Sequence, residues 1–523
     1  MRRTNFLLII TDQQRCDHLG VYGNRIVDTP HIDALAARGW VADRFYAASP
    51  ACMPNRASLM TGRLPSLHGV RHNGIPLPLT ASTFVDVLKQ AGWRTALVGK
   101  AHLQNMTGKT AVWPPAAQRL SQEAEALVSG NYGREWGPHW RDRTDFELDL
   151  PFYGFDDVSL AVDHGDRVLG HYWRWLEETH PEIAAVAGPE HASATPEYRL
   201  TRCGQAWRTR VPEECSTTSW VANETIRRLR DYARGSVPFF VQCSFPDPHH
   251  PFTPPGRFWG MYQPEDVELP ASFHASTEPP PHVAWLRAQR DSGQAVKGTP
   301  AAFACDEREA REAIALGYGS ITHIDEAIGR VLRELERLGQ AQDTVIIFMS
   351  DHGDYLGDHQ LLLKGPIHYQ SLIRTPFIWT DPAGPAGRRS NALCSTIDLA
   401  PTILHRAEIP GFNGINGRVL ECAGASANAG ERQGVLIEDE VQRVLFGFAR
   451  PPRLRTLVTQ RWRLTLYAEA TWGELYDLRD DPHECRNLWS DKAHAEVRSD
   501  LMAELIRQIV SHGETSPYAS ALA

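Results

Sequence analysis

Acidic and histidine side chains follow two apolar segments of the chain. Asp12 comes directly after the run NFLLIIT, and Asp351 and His352 come directly after TVIIFMS. Short apolar runs of this kind are typical of buried parallel strands. Because ligands bind beyond the carboxyl ends of the strands in open α/β sheets, these side chains are expected to converge there. Carboxylates suit a hard divalent cation, and the imidazole admits a softer ion such as Mn2+.

Each of these residues also has a simpler explanation. An aspartate at a strand end often caps the helix that follows it, without any ion. Gln13, next to Asp12, offers an amide oxygen as an additional ligand. Taken together, the residues favour a metal site over a set of unrelated helix caps.

Cys52 stands alone in the segment SPACMPNRASLMTGRLPSLHGV, residues 49–70. Pro54 suits the first turn of a helix and Gly62 suits its end, so Cys52 is predicted at or just before a helix N-terminus. That position attracts anions, and Arg56 would add donors one turn later. The arrangement suits a nucleophile that attacks an anionic ester, although a lone cysteine is often only a small buried apolar residue. A thiolate is a poor ligand for a hard cation, so the site calls for an oxygen where the sequence supplies sulfur.

The composition is that of a globular protein with more than one domain. The chain has 523 residues, of which 42% are hydrophobic and 22% are charged, and its formal net charge is −9. Nothing suggests the basic face that a nucleic-acid partner needs. The nine cysteines contain no C-x-x-C pair, which argues against a disulfide framework or a zinc knuckle. The first apolar run is too short for a signal peptide or a membrane span, so we expect a cytoplasmic protein without a membrane partner.

Helix and strand patterns alternate along most of the chain. TPHIDALAARGW and STFVDVLKQAGW predict helices, whereas RTALVGKAHL and SVPFFVQCSF predict buried strands. A long helical pattern, REAREAIALGYGSITHIDEAIGRVLRELERLGQ, precedes the run that ends at Asp351. The alternation predicts an α/β fold: a large mixed, mostly parallel sheet sandwiched by helices.

Two regions depart from this alternation and define the predicted domains. Residues 104–235 are irregular and rich in Trp, Tyr and His, and we interpret much of them as an insertion in a catalytic domain of residues 1–420. The small, polar AGASANAGERQG then marks a boundary. RTLVTQRWRLTLYAEATWGELYDL predicts antiparallel strands and AHAEVRSDLMAELIRQIVSHG a helix, so residues 421–523 are predicted to form an α+β subdomain with a terminal arm.

Cys52 and its neighbours resemble a known signature. C-x-P-x-R followed by A-S-x-x-T-G, here residues 52–62, looks like the signature of the type I sulfatases of the alkaline phosphatase superfamily. Further segments resemble that family along nearly the whole chain: NFLLIITDQQRCDHLGVYG, VGKAHL, PDPHHPF, IIFMSDHGDYLGDHQLLLKGPIHYQSLIRTPFI and GELYDLRDDPHECRNLW. The resemblance implies an alkaline-phosphatase-like fold and a promiscuous, arylsulfatase-like hydrolase that releases inorganic sulfate and an alcohol. It also implies that a maturation enzyme oxidises Cys52 to Cα-formylglycine, whose hydrated aldehyde is the nucleophile.

The resemblance also assigns roles to individual residues. One divalent ion, Ca2+ or Mn2+, would be held by Asp12, Cys52, Asp351 and His352, with Gln13 as an additional ligand. The catalytic residues would be Cys52, Arg56, Lys100, His102, His249 and Lys364. The substrate would be bound by Asn73, Lys100, His249 and Lys364. In these roles Arg56 orients the diol, His102 deprotonates its second hydroxyl, and His249, favoured over His250 by its place in the motif, faces the leaving oxygen.

Two positions depart from the sulfatase pattern. Many sulfatases carry Asp-Asp and Asp-Asn where this chain has Asp12-Gln13 and Asp351-His352. Those pairs resemble the phosphonate monoester hydrolase and phosphodiesterase branch, which shares formylglycine and often holds manganese, whereas Lys100 and His102 match the sulfatases. Hydrolysis of phosphonate monoesters or phosphodiesters at the same site is therefore the alternative, and an unmodified cysteine hydrolase is a third possibility. The long insertion and the terminal arm lead us to expect a homo-oligomer.

Overall fold

The structure of the protein, a computed structural model, describes residues 3–111, 126–142, 145–276, 278–424 and 432–522. Within these residues nine strands form the main sheet. They are β1 Asn5–Thr11, β2 Trp40–Ala42, β3 Arg94–Gly99, β4 Asp157–Val162, β5 Leu169–Gly170, β6 Phe239–Ser244, β7 Thr344–Ser350, β8 Phe377–Thr380 and β9 Arg388–Ser390. Their order across the sheet is β9-β2-β8-β7-β1-β6-β3-β4-β5. Only β5 and β8 run against the other strands of this described sheet.

Helices cover both faces of the main sheet. The described helices of seven or more residues are α1 Pro30–Arg38, α2 Cys52–Thr61, α3 Phe84–Gln90, α4 His171–Thr179, α5 Thr217–Tyr232, α6 Pro281–Asp291, α7 Glu307–Arg337, α8 Leu399–Arg406 and α9 Ala495–Ser511. Shorter helices are Pro65–His68, Gly137–Asp142, Pro181–Ala184, Ser272–Ala275 and Gln370–Ile373. Two small sheets pair Phe45–Tyr46 with Arg374–Thr375 and Cys394–Ser395, and Phe303–Ala304 with Leu361–Leu362.

Side-chain alternation along β1 explains its central place. Leu7 and Ile9 belong to the core on one face, and Phe6, Leu8 and Ile10 belong to the core on the other. A strand that is buried on both faces must be apolar throughout, which is the pattern from which it was predicted. The two helices predicted from TPHIDALAARGW and STFVDVLKQAGW are both present: Thr29 precedes α1, and Thr83 caps α3 in a capping box with Asp86.

The C-terminal sheet is separate and antiparallel. Its strands are β10 Val435–Glu440, β11 Arg453–Val458, β12 Trp462–Tyr467 and β13 Gly473–Asp477, paired in chain order. Helix α9 packs against the first three of them. The predicted fold class is therefore confirmed: a mostly parallel main sheet between helices, and a smaller antiparallel sheet with a helix. None of the described helices combines the length and the apolar character that crossing a bilayer requires.

The segment expected to be an insertion does more than cover the sheet. Residues 104–235 contribute β4 and β5 to the main sheet, and α5 packs on β3 and β6. The aromatic stretch HYWRWLEE forms most of α4. Residues 112–125 and 143–144 of this segment lie outside the described residues, as do residues 425–431, which make up most of the predicted domain boundary.

Candidate active site

The ends of neighbouring parallel strands bring the predicted ligands together. Thr11, the last residue of β1, pairs with Ser350, the last residue of β7, so Asp12 and Asp351 leave the sheet side by side. Cys52 is the first residue of α2, directly after Ala51, as the Pro54 and Gly62 pattern predicted. The side chains of Asp12, Asp351 and His352 are fully buried. The edge of the sheet and the start of α2 therefore face each other.

This arrangement fits a divalent cation. One potential ligand atom from each of Asp12, Cys52, Asp351 and His352 lies within 4.8 Å of the others. The Sγ of Cys52 is 3.8 Å from Asp12 Oδ1 and 3.1 Å from His352 Nε2. Gln13 lies beside them, and its buried Oε1 has no hydrogen-bond partner among the described residues. A buried acceptor without a partner is costly, and a cation next to it would satisfy it, so the residues present fit a metal ion with oxygen and imidazole ligands.

Arg56 fixes the orientation of the two carboxylates. Its Nε donates to Asp351 Oδ2 at 2.8 Å, and its Nη2 is 3.7 Å from Asp12 Oδ2. Its Nη1 donates to the backbone oxygen of Lys100 and to the hydroxyl of Ser244, both at 3.0 Å. Because the guanidinium has a rigid fork of donors, it joins the ends of β1, β3, β6 and β7 to α2.

Basic groups surround the thiol of Cys52. The Nζ of Lys364 lies 2.8 Å from its Sγ, and also 3.1 Å from the Nε2 atoms of His249 and His352. Burial and the nearby Asp12 oppose ionisation of the thiol, but Lys100, Lys364 and His352 outweigh them and hold the pKa of Cys52 well below its usual value. The site therefore stabilises negative charge at this position.

Lys100 and His164 form a second basic group on the other side of Asp12. Lys100 follows β3, its side chain is fully buried, and its Nζ contacts Asp12 Oδ2. The same Nζ is 2.6 Å from His164 Nε2. The imidazole of His164 stacks on that of His249, with ring centroids 3.6 Å apart. Burial alone would raise the pKa of Asp12, but the opposing effects of Lys100, His249 and His164 are larger. The pKa of Asp12 is therefore well below its usual value, and the carboxylate stays ionised.

The remaining predicted residues lie nearby in different roles. His102 is buried close to Cys52, and burial together with Lys100 lowers the pKa of its imidazole to about 4. His250 lies 3.0 Å from the amide of Gln13, so it is His249 that approaches Lys364. Asn73 accepts a hydrogen bond from the backbone N–H of Met53 at 3.0 Å and thereby caps the first turn of α2.

Two residues of the site were missed by the sequence analysis. His164 follows Asp163 directly after β4, at the same sheet edge as Asp12 and Asp351, so the strand-end rule would have found it had β4 been recognised. The two carboxylate oxygens of Glu135 accept hydrogen bonds from the backbone N–H groups of His102, Leu103 and Gln104. No local pattern marks Glu135, because it acts on backbone groups about thirty residues away.

Comparison with known proteins decides the family. Residues 4–409 match the pattern of the sulfatase family. The chain belongs to that family. Residues 357–511 of this sulfatase also match the pattern of the N-sulphoglucosamine sulphohydrolase C-terminal region. The expectation of a sulfuric ester hydrolase is thereby confirmed.

Relatives cover this sulfatase from end to end. It is 27% identical to an arylsulfatase of Clostridium perfringens, over 98% of this chain and 95% of the relative. It is also 27% identical to the multifunctional alkaline phosphatase superfamily protein PehA of Trinickia caryophylli, over 98% of this chain and 96% of PehA. Its fold is similar to that of a phosphonate monoester hydrolase of Agrobacterium radiobacter, with a TM-score of 0.77, 24% identity, and coverage of 100% of this chain and 98% of that chain.

Proposed function

We propose that this sulfatase hydrolyses aryl sulfate esters at Cys52, after Cys52 has been matured to formylglycine. The observation that carries the proposal is the position of Cys52: at the first residue of α2, between two buried carboxylates and the ammonium group of Lys364. Formylglycine supplies a hydrated aldehyde, and therefore an oxygen nucleophile, where the carboxylates favour a cation that prefers oxygen. A maturation enzyme that recognises the Cys52 segment is the partner that this proposal requires.

The proposal assigns the metal to the residues that converge at the sheet edge. Asp12, matured Cys52, Asp351 and His352 would hold one divalent ion, Ca2+ or Mn2+, with Gln13 as a further ligand. A bound ion supplies positive charge that activates an oxygen nucleophile and offsets charge on the ester. Arg56 keeps both carboxylates in place through its bond to Asp351 and its approach to Asp12.

The basic residues around Cys52 bind and polarise the ester. The ammonium group of Lys364 lies 2.8 Å from the Sγ of Cys52, and that of Lys100 contacts the neighbouring Asp12. Both would bind sulfate oxygens and stabilise charge that grows on them. His249 and Lys364 lie 3.1 Å apart and would share the proton that the leaving alcohol needs. His102 is neutral at pH 7, because its pKa is lowered to about 4, and so can accept a proton from the hydroxyl that is left on residue 52.

Phosphonate monoesters and phosphodiesters are the second candidate substrates. Gln13 and His352 stand where many sulfatases have a second Asp and an Asn, and this chain is 27% identical to the multifunctional protein PehA. Sulfate and phosphonate esters are both tetrahedral anions, so the same basic groups fit either. The ratio of kcat/KM for 4-nitrophenyl sulfate to that for 4-nitrophenyl phenylphosphonate separates the two candidates, and we expect sulfate to be preferred.

The first test is the mass of one tryptic peptide. Cleavage after Arg44 and Arg56 releases FYAASPACMPNR, which contains Cys52. In active protein we expect residue 52 as the aldehyde or its hydrate. An alkylatable thiol in fully active protein would replace the formylglycine chemistry with that of a cysteine hydrolase. An unmodified thiol in inactive protein is expected from a host without the maturation enzyme, and co-expression of that enzyme should then restore activity.

Location and assembly complete the proposal. The nine cysteines are all unpaired in the structure, which suits a reducing compartment, and we propose a cytoplasmic enzyme. We also propose two domains, residues 1–420 and 421–523, from the change in sequence character near residue 420. A homo-oligomeric state is proposed from the long insertion and the terminal arm. Light scattering at several protein concentrations would measure the assembly.

A further inference from the structure

A small cavity opens next to the reactive centre. It has a volume of about 170 Å³ and lies between the loop that follows α2 and the chain that follows β10. Ala51, the residue before Cys52, and Lys364 both line it. Because Lys364 lines the cavity and its Nζ is 2.8 Å from the Sγ of Cys52, the cavity begins directly beside the position at which an ester would react.

The cavity has the size of a single ring. Sites for drug-sized ligands enclose about 300 to 1,000 Å³, which is well above the volume found here. Most of the wall is apolar, with prolines at positions 50, 300 and 366, together with Ala301, Val441 and Leu445. An apolar wall favours a ring with few polar groups, since burying a polar group without a hydrogen-bond partner is unfavourable.

A carboxylate on the wall adds a charge preference. Asp439 lines the cavity and is 3% exposed, and its Oδ1 has no hydrogen-bond partner among the described residues. Its Oδ2 lies 3.4 Å from the imidazole of His368. The neighbouring Glu440 is balanced by Arg453 at 3.0 Å and by Arg455 at 3.4 Å. Arg443 also lines the cavity, but it is exposed, so solvent screens its charge. Among the described residues no arginine or lysine forms an ion pair with Asp439, and its buried charge would repel a second anionic group on the alcohol.

We propose that this cavity is the subsite for the alcohol part of the substrate and that it selects a neutral, single-ring alcohol. The inference rests on the proposed function, because it takes Lys364 and His249 as the groups that face the leaving oxygen. Residues from both parts of the chain form the subsite: Lys364 and the loop after α2 from the catalytic part, and Asp439, Val441 and Leu445 from the C-terminal part. The small C-terminal sheet thereby takes part in substrate choice.

Changes in the apolar wall test the ring preference. Val441→Trp fills the cavity and Leu445→Ala removes part of its wall, and Val444→Trp is the matched control because Val444 is 50% exposed and not part of the wall. We expect each wall variant to raise KM for 4-nitrophenyl sulfate by about tenfold. Inhibition by inorganic sulfate, which needs no alcohol subsite, should stay within twofold of the original in all three variants, and the control should keep its KM.

Two results would overturn the ring preference. One is an unchanged KM in both wall variants. The other is a loss of inorganic sulfate binding as large as the rise in KM, because it would show that the variants disturb the charged site and not a separate subsite.

Asp439→Asn tests the charge preference while preserving the shape of the side chain. Rates of sulfate release from 4-nitrophenyl sulfate and 4-carboxyphenyl sulfate are compared in both proteins. For each protein, the rate with 4-carboxyphenyl sulfate is divided by the rate with 4-nitrophenyl sulfate. The intrinsic reactivities of the two leaving groups cancel when this ratio for the variant is divided by the ratio for the original protein. We expect the variant to favour the carboxylated ester by about tenfold relative to the original protein, and an unchanged ratio would contradict the inference.

The failure of the subsite and the failure of the proposed function give different results. If the original protein hydrolyses only 4-nitrophenyl phenylphosphonate, the sulfate proposal fails, and the same wall variants measured on that ester still test the subsite. If the original protein hydrolyses 4-nitrophenyl sulfate and the wall variants match it, the subsite fails and the proposed function stands. Failure on every ring ester overturns both.

Discussion

The ammonium group of Lys100 lies fully buried between Asp12 and His164. A buried ion pair that loses one partner leaves a costly isolated charge, so the three groups depend on one another. Asp12 faces the predicted cation on one side and Lys100 on the other. The Nζ of Lys100 therefore lies beside Asp12 and His164, two of the three residues that could otherwise hold a second ion together with His249. This arrangement supports the proposal of a single metal ion with an ammonium group next to it.

His164 should contribute directly to ester binding. Its Nε2 is 2.6 Å from Lys100 and its ring stacks on His249, so it lies among the groups assigned to the sulfate oxygens. We expect His164→Ala to lower kcat/KM for 4-nitrophenyl sulfate by about 100-fold, a typical loss for a polar group that acts on the reacting centre. His180→Ala, whose imidazole is exposed on the same part of the chain, is the control and should keep full activity. A bound-metal content that falls with His164→Ala would instead place this residue among the metal ligands.

Local rules explain which site residues the sequence could reveal. Asp12, Asp351 and His352 follow recognisable apolar strands, and Cys52 comes two residues before a proline that suits the first turn of a helix ending at Gly62, so each position follows from a few adjacent residues. His164 follows a strand that lies in the irregular segment, and Glu135 acts through distant backbone groups. Their roles depend on tertiary packing, which no short pattern encodes.

At the scale of elements, Gly99 controls how β3 delivers Lys100. Its φ of +100° lies in the left-handed region, and an ideal Cβ there would be 1.8 Å from the backbone oxygen of Ser244. That oxygen also accepts the N–H of Lys100 at 3.0 Å. We expect Gly99→Ala to destabilise the protein by about 3 kcal/mol or more, because β3 and β6 must separate, and to abolish activity.

Gly23→Ala is the control for the Gly99 variant. Gly23 also has a φ of +100°, but among the described residues no heavy atom beyond its chain neighbours lies within 4 Å of its ideal Cβ. It should show only the backbone strain, about 1–2 kcal/mol. Urea denaturation of both variants measures the difference, and equal losses would mean that strain alone, and not the contact with Ser244, makes Gly99 necessary.

Asp325 links α7 to α1 in a way that depends on pH. Its carboxylate accepts the backbone N–H groups of His31 and Ile32 at 3.1 and 2.8 Å, in the first turn of α1. Burial raises its pKa to about 7. Between pH 4 and 7 the folded protein keeps a proton on Asp325 that the unfolded chain has already released. The contribution of Asp325 to the free energy of unfolding therefore falls as pH rises through that window.

The variant Asp325→Asn removes this titration. Its free energy of unfolding relative to the original protein should increase from pH 5 to pH 7, by on the order of 2 kcal/mol. Other carboxylates change the absolute stability of both proteins equally and cancel in the difference. Chemical denaturation at the two pH values measures it, and a difference that is constant with pH would mean that Asp325 ionises normally in the folded state.

At the scale of the whole molecule, the two predicted domains share their apolar cores. Tyr46 and Leu372 of the catalytic part lie in one cluster with Ile437 and Tyr476 of the C-terminal part. Ala48 and Leu64 lie in another with Leu436 and Leu457. The sequence predicted the C-terminal sheet and helix from their own patterns, but it could not predict these shared clusters, because they join residues that lie far apart in the chain.

Shared cores predict that both parts unfold together. Domains with separate cores usually unfold in separate transitions. Here the backbone N–H of Glu438 in the C-terminal sheet donates to the backbone oxygen of Ala48 at 3.0 Å. Unfolding of that sheet would therefore expose the segment that leads into α2 and Cys52. We expect one calorimetric transition, with activity lost over the same temperature range. Leu436→Ala, which leaves a cavity in the shared core at a cost of about 2–5 kcal/mol, should move the whole transition to lower temperature. Val510→Ala, at a side chain that is 74% exposed, should leave it in place. A first transition that shifts alone in Leu436→Ala while activity persists would show that the C-terminal sheet folds independently and that its contribution to the active site is dispensable.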